Sequence, residues 1–340
     1  MRLPAPVRAG GHIRVVSPAS ASIALVPARA RRGEQALSGL GFTVSYGRNA
    51  DLISEDGQTA GSARQRARDL MDAFADPSVD AVLSANAGIG SRDLLEFLDP
   101  QVLTANPKPF IGFCDNVFLN QYLFTAAGLT SLYGCSLMYH LGDGGGPFPE
   151  TTDYLTRALD GTPMTCVPVG SRTGEYLNWH IPELEELPRY RGIPGGWTWL
   201  REGSATGTLL GGEITTIGDM VSTFGLSLDS VVLFWHVALR EEPRDDVFRQ
   251  LCASADLTRL AGMVVGPHPG IAPAQWGAQV SDMLDENLPG LTCPVVVNAD
   301  VGHVSPSWTV PFGEQVTIDS AGSIMFPRTP GMAGQNTGVF

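Results

Sequence analysis

Lys108-Pro-Phe-Ile-Gly-Phe-Cys-Asp-Asn-Val-Phe-Leu-Asn120 begins with an apolar strand, Phe110–Phe113, which stops at a small polar turn and runs on into a helix-like segment, Asn116–Ala127. A strand-to-helix corner of this kind belongs to a parallel α/β sheet, and it projects the corner side chain, here Cys114, at the carboxyl end of the sheet. Backbone N–H groups just past such a corner point where a developing oxyanion can be held. A thiol presented there can attack a carbonyl. The competing reading is that Cys114 is a small buried hydrophobe, as most unpaired cysteines are.

Working back from the corner, short β-type runs alternate with helical stretches, the pattern of a parallel sheet with crossover helices. His12–Pro18 reads as a strand, Ala28–Leu40 as a helix and Thr43–Tyr46 as a second strand. Ser62 and Gln65 have capping-box spacing and open a helix running to Ala75. Val79–Ser84 reads as a buried strand, Asn86–Ser91 as a glycine-rich turn and Arg92–Leu98 as helix. The turn around Gly88 and the one after Cys114 thus sit at carboxyl ends of strands in one sheet, where open α/β folds place their ligands. Gly88 and Gly90 lack the order of a dinucleotide fingerprint, and no Walker lysine follows.

Composition narrows the classes. At 340 residues the chain exceeds the ~250–300 at which single cores stop growing, so two domains are expected. No 18-residue apolar span is present, which argues against a membrane protein. The opening Met-Arg-Leu-Pro-Ala-Pro-Val-Arg has no apolar signal core, so the cytoplasm is the expected address. The net charge of −13 opposes nucleic-acid binding. Cys114, Cys135, Cys166, Cys252 and Cys293 are odd in number and irregular in spacing, against both a disulfide framework and a structural zinc site; no metal or cofactor is expected.

Residues 1–141 are therefore read as an N-terminal α/β domain carrying the nucleophile. Residues 142–202, rich in Gly, Pro and acidic side chains, are read as a linker with a lid-like excursion that bears Trp179, Glu183, Glu185, Glu186, Arg189 and Tyr190. The ordinary reading of its acidic run is a solvated face. Residues 203–340 form a second domain with strands at Gly207–Leu210, Val231–Val237, Gly262–Val265, Pro294–Asn298, Glu314–Asp319 and Ser323–Phe326. In Val295-Val-Val-Asn-Ala-Asp-Val-Gly-His303 an imidazole follows a strand end, a position for a general base that can pair with a thiol. A loop histidine bonded to backbone is the alternative.

These pieces together resemble the LD-carboxypeptidase family of serine peptidases, most closely its microcin C self-immunity branch. The resemblance runs through Gly10-Gly-His-Ile-Arg-Val-Val-Ser-Pro18, Gly61–Asp76, Ala85-Asn-Ala-Gly-Ile-Gly-Ser91 and Ile111-Gly-Phe-Cys-Asp115. It continues through Gly196-Trp-Thr-Trp-Leu200, Gly207-Thr-Leu-Leu-Gly-Gly212, Asp300-Val-Gly-His303 and Pro311-Phe-Gly313. It implies a flavodoxin-like N-terminal domain with a parallel sheet and a smaller, β-rich α+β C-terminal domain. It also implies a homodimer, and amide hydrolysis by a Ser-His-Glu triad without metal.

Two positions depart from the family pattern. Cys114 stands where the nucleophilic serine is usual, and His236, in Val232-Leu-Phe-Trp-His-Val237, stands where the glutamate is usual. A thiol, with a reference pKa of ~8.5, needs less activation than a hydroxyl, so the two changes are chemically consistent. The expected site is Cys114 as nucleophile, His303 as base and His236 either orienting it, acting as a second acid/base or filling space. Asp115 and Gly88 N–H groups serve the oxyanion, and Asn86, Ile89, Trp179 and Glu213 contact substrate. Glu213 and the cluster Glu241, Glu242, Asp245 are candidate replacement carboxylates. The expected activity is hydrolysis of a small peptidyl or aminoacyl conjugate through an acyl-thioester; capture of that thioester by an amine, or a silent binding protein, are the other readings.

Overall fold

The computed structural model describes residues 1–238 and 245–328. Its first sheet has six strands in the order Val310–Phe312, Ser131–Tyr133, Phe110–Gly112, Ala81–Ser84, His12–Val16, Thr43–Tyr46. The five N-terminal strands are parallel, in the 2-1-3-4-5 order of flavodoxin-like folds. They form because short β-branched or aromatic runs are buried on both faces, as in Ala81–Ser84 and Phe110–Gly112. The helix Ala63–Ala75 opens on the anticipated capping box between Ser62 and Gln65.

The second sheet has eight strands, with Ser204–Glu213, Val231–His236, Gly262–Val265 and Val295–Val297 forming a parallel centre. Antiparallel strands flank them, giving the β-rich second region read from the sequence. The sheets exchange segments across positions 141 and 202: Val310–Phe312 pairs with Ser131–Tyr133 in the first sheet, while Met164–Cys166 and Thr198–Arg201 form the edges of the second.

Between residues 142 and 202 the chain is more ordered than a linker. Pro149–Asp160 is a helix with proline in its first turn and Gly161 at its end in the left-handed region. The solvated-face reading of the acidic run holds for Glu183 and Glu186, which are exposed, but not for Glu185, which is buried against Arg29 and Arg32. Among the described residues no helix is long and apolar enough to cross a membrane, and no group of three or more His, Cys, Asp or Glu is placed to hold a metal ion. Glu241 and Glu242 lie outside the described residues; Asp245 is exposed at the start of the helix Asp245–Ser254.

Candidate active site

The strand Phe110–Gly112 ends and the helix Val117–Thr125 begins across one tight turn, Cys114–Asn116. Cys114 opens that turn at φ 53°, a left-handed conformation that costs a non-glycine residue about 1–2 kcal/mol. Its surroundings hold it there. The Cys114 backbone N–H donates to the Tyr133 hydroxyl at 3.0 Å. The buried Asp115 carboxylate accepts the Ser91 N–H at 2.8 Å, and the Ser91 hydroxyl donates to the Asp115 carbonyl. Burial pushes the Asp115 carboxyl up from its usual range. These bonds tie the elbow to the glycine turn, whose Gly90 carbonyl accepts from the Arg66 guanidinium at 2.8 Å. Gly88 has φ 137°, and a Cβ there would lie 2.8 Å from that of Ser20, so the turn passes only as glycine. Cys114 itself is half-buried; Asn86 is half-buried and Ile89 is 76% exposed.

The second sheet brings two histidines to this elbow. His303 packs its ring 4.7 Å from that of Phe113, the residue preceding Cys114. Its carbonyl accepts from the Tyr139 hydroxyl at 3.0 Å. His236, at the carboxyl end of Val231–His236, lies 5.1 Å from the His303 ring at 63°, and stacks 6.1 Å from Phe113. Gly302 allows this approach: at φ 105°, a Cβ on it would sit 2.5 Å from Cγ of His236. Desolvation pushes His303 down to about 4, opposed by the Val237 carbonyl, and drives His236 well below the ordinary imidazole value, with His303 adding to the effect. Both rings are neutral bases near neutral pH.

His236 Nε2 lies 2.7 Å from the Tyr133 hydroxyl, and its Nδ1 lies 3.5 Å from the Val237 carbonyl. A carbonyl can only accept, so the His236 proton sits on Nδ1 facing Val237; Nε2 then accepts the Tyr133 hydrogen, and the phenol oxygen accepts from Cys114. Burial raises the Tyr133 phenol far above its usual value, so it stays protonated.

Glu213 ends the strand Ser204–Glu213 directly opposite His236 in the parallel register. Its carboxylate accepts from the Thr215 N–H at 3.0 Å and from the Thr215 hydroxyl, capping the helix Ile214–Phe224. The Glu213 charge also helps to raise the Tyr133 phenol. It is thus a buried carboxylate beside the site, turned to a helix N-terminus.

Trp179 lies further out, with the Arg29 guanidinium over its ring at 4.3 Å and Tyr139 and Tyr176 against it. The segment that carries it is fastened by buried ion pairs. Asp143 bridges Arg29 at 3.2 Å and Arg189 at 2.8 Å, and Arg189 donates to the Ser305 hydroxyl at 2.8 Å. Thr173 and Ser305 exchange backbone hydrogen bonds at 2.7 and 2.9 Å, so the excursion braces the loop that presents His303. Asp300, three residues before His303, pairs with Arg172 at 3.1 Å and accepts the Trp197 indole N–H at 3.2 Å. Burial raises its carboxyl to about 6.

Cys114, Asp115, His236 and His303 are thereby gathered at one place, with Glu213 beside them. Three aromatic residues there escaped the sequence reading. Tyr133 ends a three-residue strand, too short for a period to register. Tyr139 and His140 lie in the apolar run Leu137–Leu141, where His140 accepts the Ser136 N–H at 3.1 Å and meets Phe113 edge-on at 5.0 Å. Desolvation, with Arg189 nearby, holds His140 well below the ordinary imidazole value.

A flavodoxin-like sheet whose strand-to-helix elbow is met by histidines of a second, β-rich sheet is the architecture of a two-domain peptide hydrolase. The chain belongs to the LD-carboxypeptidase family: residues 13–134 match the family's N-terminal domain and residues 206–318 its C-terminal domain. A Vibrio cholerae protein named as a carboxypeptidase is 26% identical over 327 residues, covering 91% of this chain and 92% of its own. The crystal structure of an MccF-like protein from Bacillus anthracis is 27% identical, with a TM-score of 0.85 over 96% of this chain and 99% of that one. The microcin C7 self-immunity protein MccF of Escherichia coli, solved with aspartyl sulfamoyl adenosine, shares the fold at 22% identity and a TM-score of 0.84, over 95% of this chain and 98% of that one.

Proposed function

We propose that the chain is a cysteine-dependent amide hydrolase acting on a small peptidyl or aminoacyl conjugate. One observation carries this reading: half-buried Cys114 is held in a left-handed elbow, and the adjoining Phe113 ring packs against the neutral imidazole of His303. The carboxypeptidase relatives support hydrolysis of a peptide bond, and the aminoacyl ligand of MccF suggests the conjugate class.

In this mechanism His303 takes the Cys114 thiol proton as sulfur attacks the carbonyl carbon. N–H groups of Asp115 and Gly88 hold the oxyanion. The tetrahedral intermediate collapses with cleavage of the C–N bond, and His303 returns the proton to the departing amine. Water, deprotonated by His303, then opens the acyl-thioester to a carboxylate and restores the thiol. Asn86, Ile89 and Trp179 serve as substrate contacts at the rim.

The test is turnover of an aminoacyl sulfamoyl nucleoside and of short peptides, with intact-protein mass spectrometry. Cys114→Ala abolishes turnover and the acyl adduct, while Cys114→Ser retains at most a few per cent. Undiminished turnover by Cys114→Ala refutes the mechanism.

A further inference from the structure

We propose that Tyr133 is a positioning residue of this site: its hydroxyl bridges the Cys114 backbone to His236, so that the nucleophile's elbow and the second sheet are locked together through one phenol. The proposal deepens the hydrolase reading above and rests on it for its catalytic consequence.

The bridge is built from two strand ends. Tyr133 closes the strand Ser131–Tyr133 opposite Gly112, one residue before Phe113, while His236 closes Val231–His236 in the other sheet. Tyr133 accepts from the Cys114 N–H at 3.0 Å and meets His236 Nε2 at 2.7 Å, and both rings are fully buried. A phenol that accepts from one side and donates to the other satisfies its polar capacity without charge. Removing it leaves two buried groups unsatisfied at once, a backbone donor and an imidazole acceptor.

Three consequences follow. The left-handed conformation of Cys114 is held by a bond to its own N–H, so that N–H is committed to the elbow and not to the oxyanion. The proton of His236 is fixed on Nδ1, facing the Val237 carbonyl. The His236 ring, 5.1 Å from that of His303, is kept as an immobile neutral wall against the base. Anchoring comes from a neutral phenol–imidazole pair; Glu213, directly opposite His236, instead caps a helix.

The experiment pairs Tyr133→Phe with ring-nitrogen NMR of the full-length protein labelled with 15N histidine. In the unmodified protein His236 shows the Nδ1–H tautomer with a hydrogen-bonded Nε2; in Tyr133→Phe the Nε2 resonance moves to that of an unbonded acceptor. The rate of Cys114 acylation, followed by mass spectrometry, falls about tenfold, as loss of a buried hydrogen bond implies, with KM unchanged. His236→Leu, which offers Tyr133 no acceptor, repeats the kinetic loss. His236→Gln, which keeps an acceptor, recovers most of it, a rescue that mere space-filling would not give. An unaltered Nε2 signal in Tyr133→Phe overturns the bridge, and a changed signal with unaltered acylation overturns the positioning role. If Cys114→Ala keeps turnover, the nucleophile assignment fails separately, and the NMR result still decides the bridge.

Discussion

Acid is the most direct probe of this site, because His140, His236 and His303 are all buried and all neutral. An unfolded histidine titrates near ~6.5, whereas burial keeps each folded value below that, at about 4 for His303. Below ~6.5 the unfolded chain binds more protons than the folded one, so the stability these rings confer is complete above that pH and is lost as pH falls toward the folded values. His303, with its folded value at about 4, contributes a loss on the order of 1 kcal/mol at pH 5.5, and His140 and His236, both held well below the ordinary imidazole value, act in the same direction. The buried carboxyls act the other way: Asp300, with its folded value at about 6, and Asp69, Asp115 and Glu314, all raised by burial, bind protons in the folded state on acidification and return part of that loss. The comparison that isolates one ring is therefore between a single-histidine variant and the unmodified protein. Urea unfolding at pH 7.5 and 5.5 measures the loss in each, and His140→Phe shrinks it by on the order of 1 kcal/mol because one titrating ring is gone. A pH difference that His140→Phe leaves unchanged would refute the assignment of His140 as a buried neutral base.

Asp143→Asn leaves the Arg29 and Arg189 guanidinium groups short of their shared carboxylate, and should cost about 3–5 kcal/mol in urea unfolding; a change below 1 kcal/mol would show that the pair is solvated rather than buried. Gly302→Ala places a methyl group against the His236 ring at a backbone angle that disfavours side chains. It should destabilise the protein by about 1–3 kcal/mol and lower kcat more than it raises KM, which steady-state kinetics beside thermal unfolding would check.

Four strands of the first sheet, His12–Val16, Thr43–Tyr46, Ala81–Ser84 and Phe110–Gly112, were legible because each is a short β-type run closed by a glycine or polar turn, and the elbow at Cys114 was legible for the same reason. What the sequence did not disclose is nonlocal. Glu185 reads as one charge in an acidic run, and only the fold brings Arg29 and Arg32 to it from a helix more than a hundred residues away. Tyr133 sits in a strand of three residues, and its partners, Cys114 and His236, belong to different sheets. The helix Pro149–Asp160 is different in kind: its first-turn proline and terminal Gly161 were local signals, obscured by the glycine and proline around them.

The resemblance leads one to expect a carboxylate where His236 stands, and the Tyr133 contact bears on what a histidine does there under the proposed mechanism. A buried carboxylate beside a base stabilises the imidazolium that forms when a hydroxyl is deprotonated, and serine chemistry depends on that help. The same carboxylate would stabilise an imidazolium formed from a thiol, but a thiol needs that help less, and the carboxylate would oppose a thiolate forming nearby, because like charges in a poorly solvated site repel strongly. With Cys114 as nucleophile, a phenol–imidazole pair keeps the geometric anchoring and removes the negative charge. Glu213 retains a carboxylate at the same level of the sheet but spends it on the Thr215 cap, where the helix N-terminus is its counter-pole. If Cys114 is the nucleophile, the residues at 114 and 236 suit each other electrostatically, and a glutamate at position 236 beside Cys114 should slow acylation rather than speed it, a result that acylation rates of His236→Glu would decide.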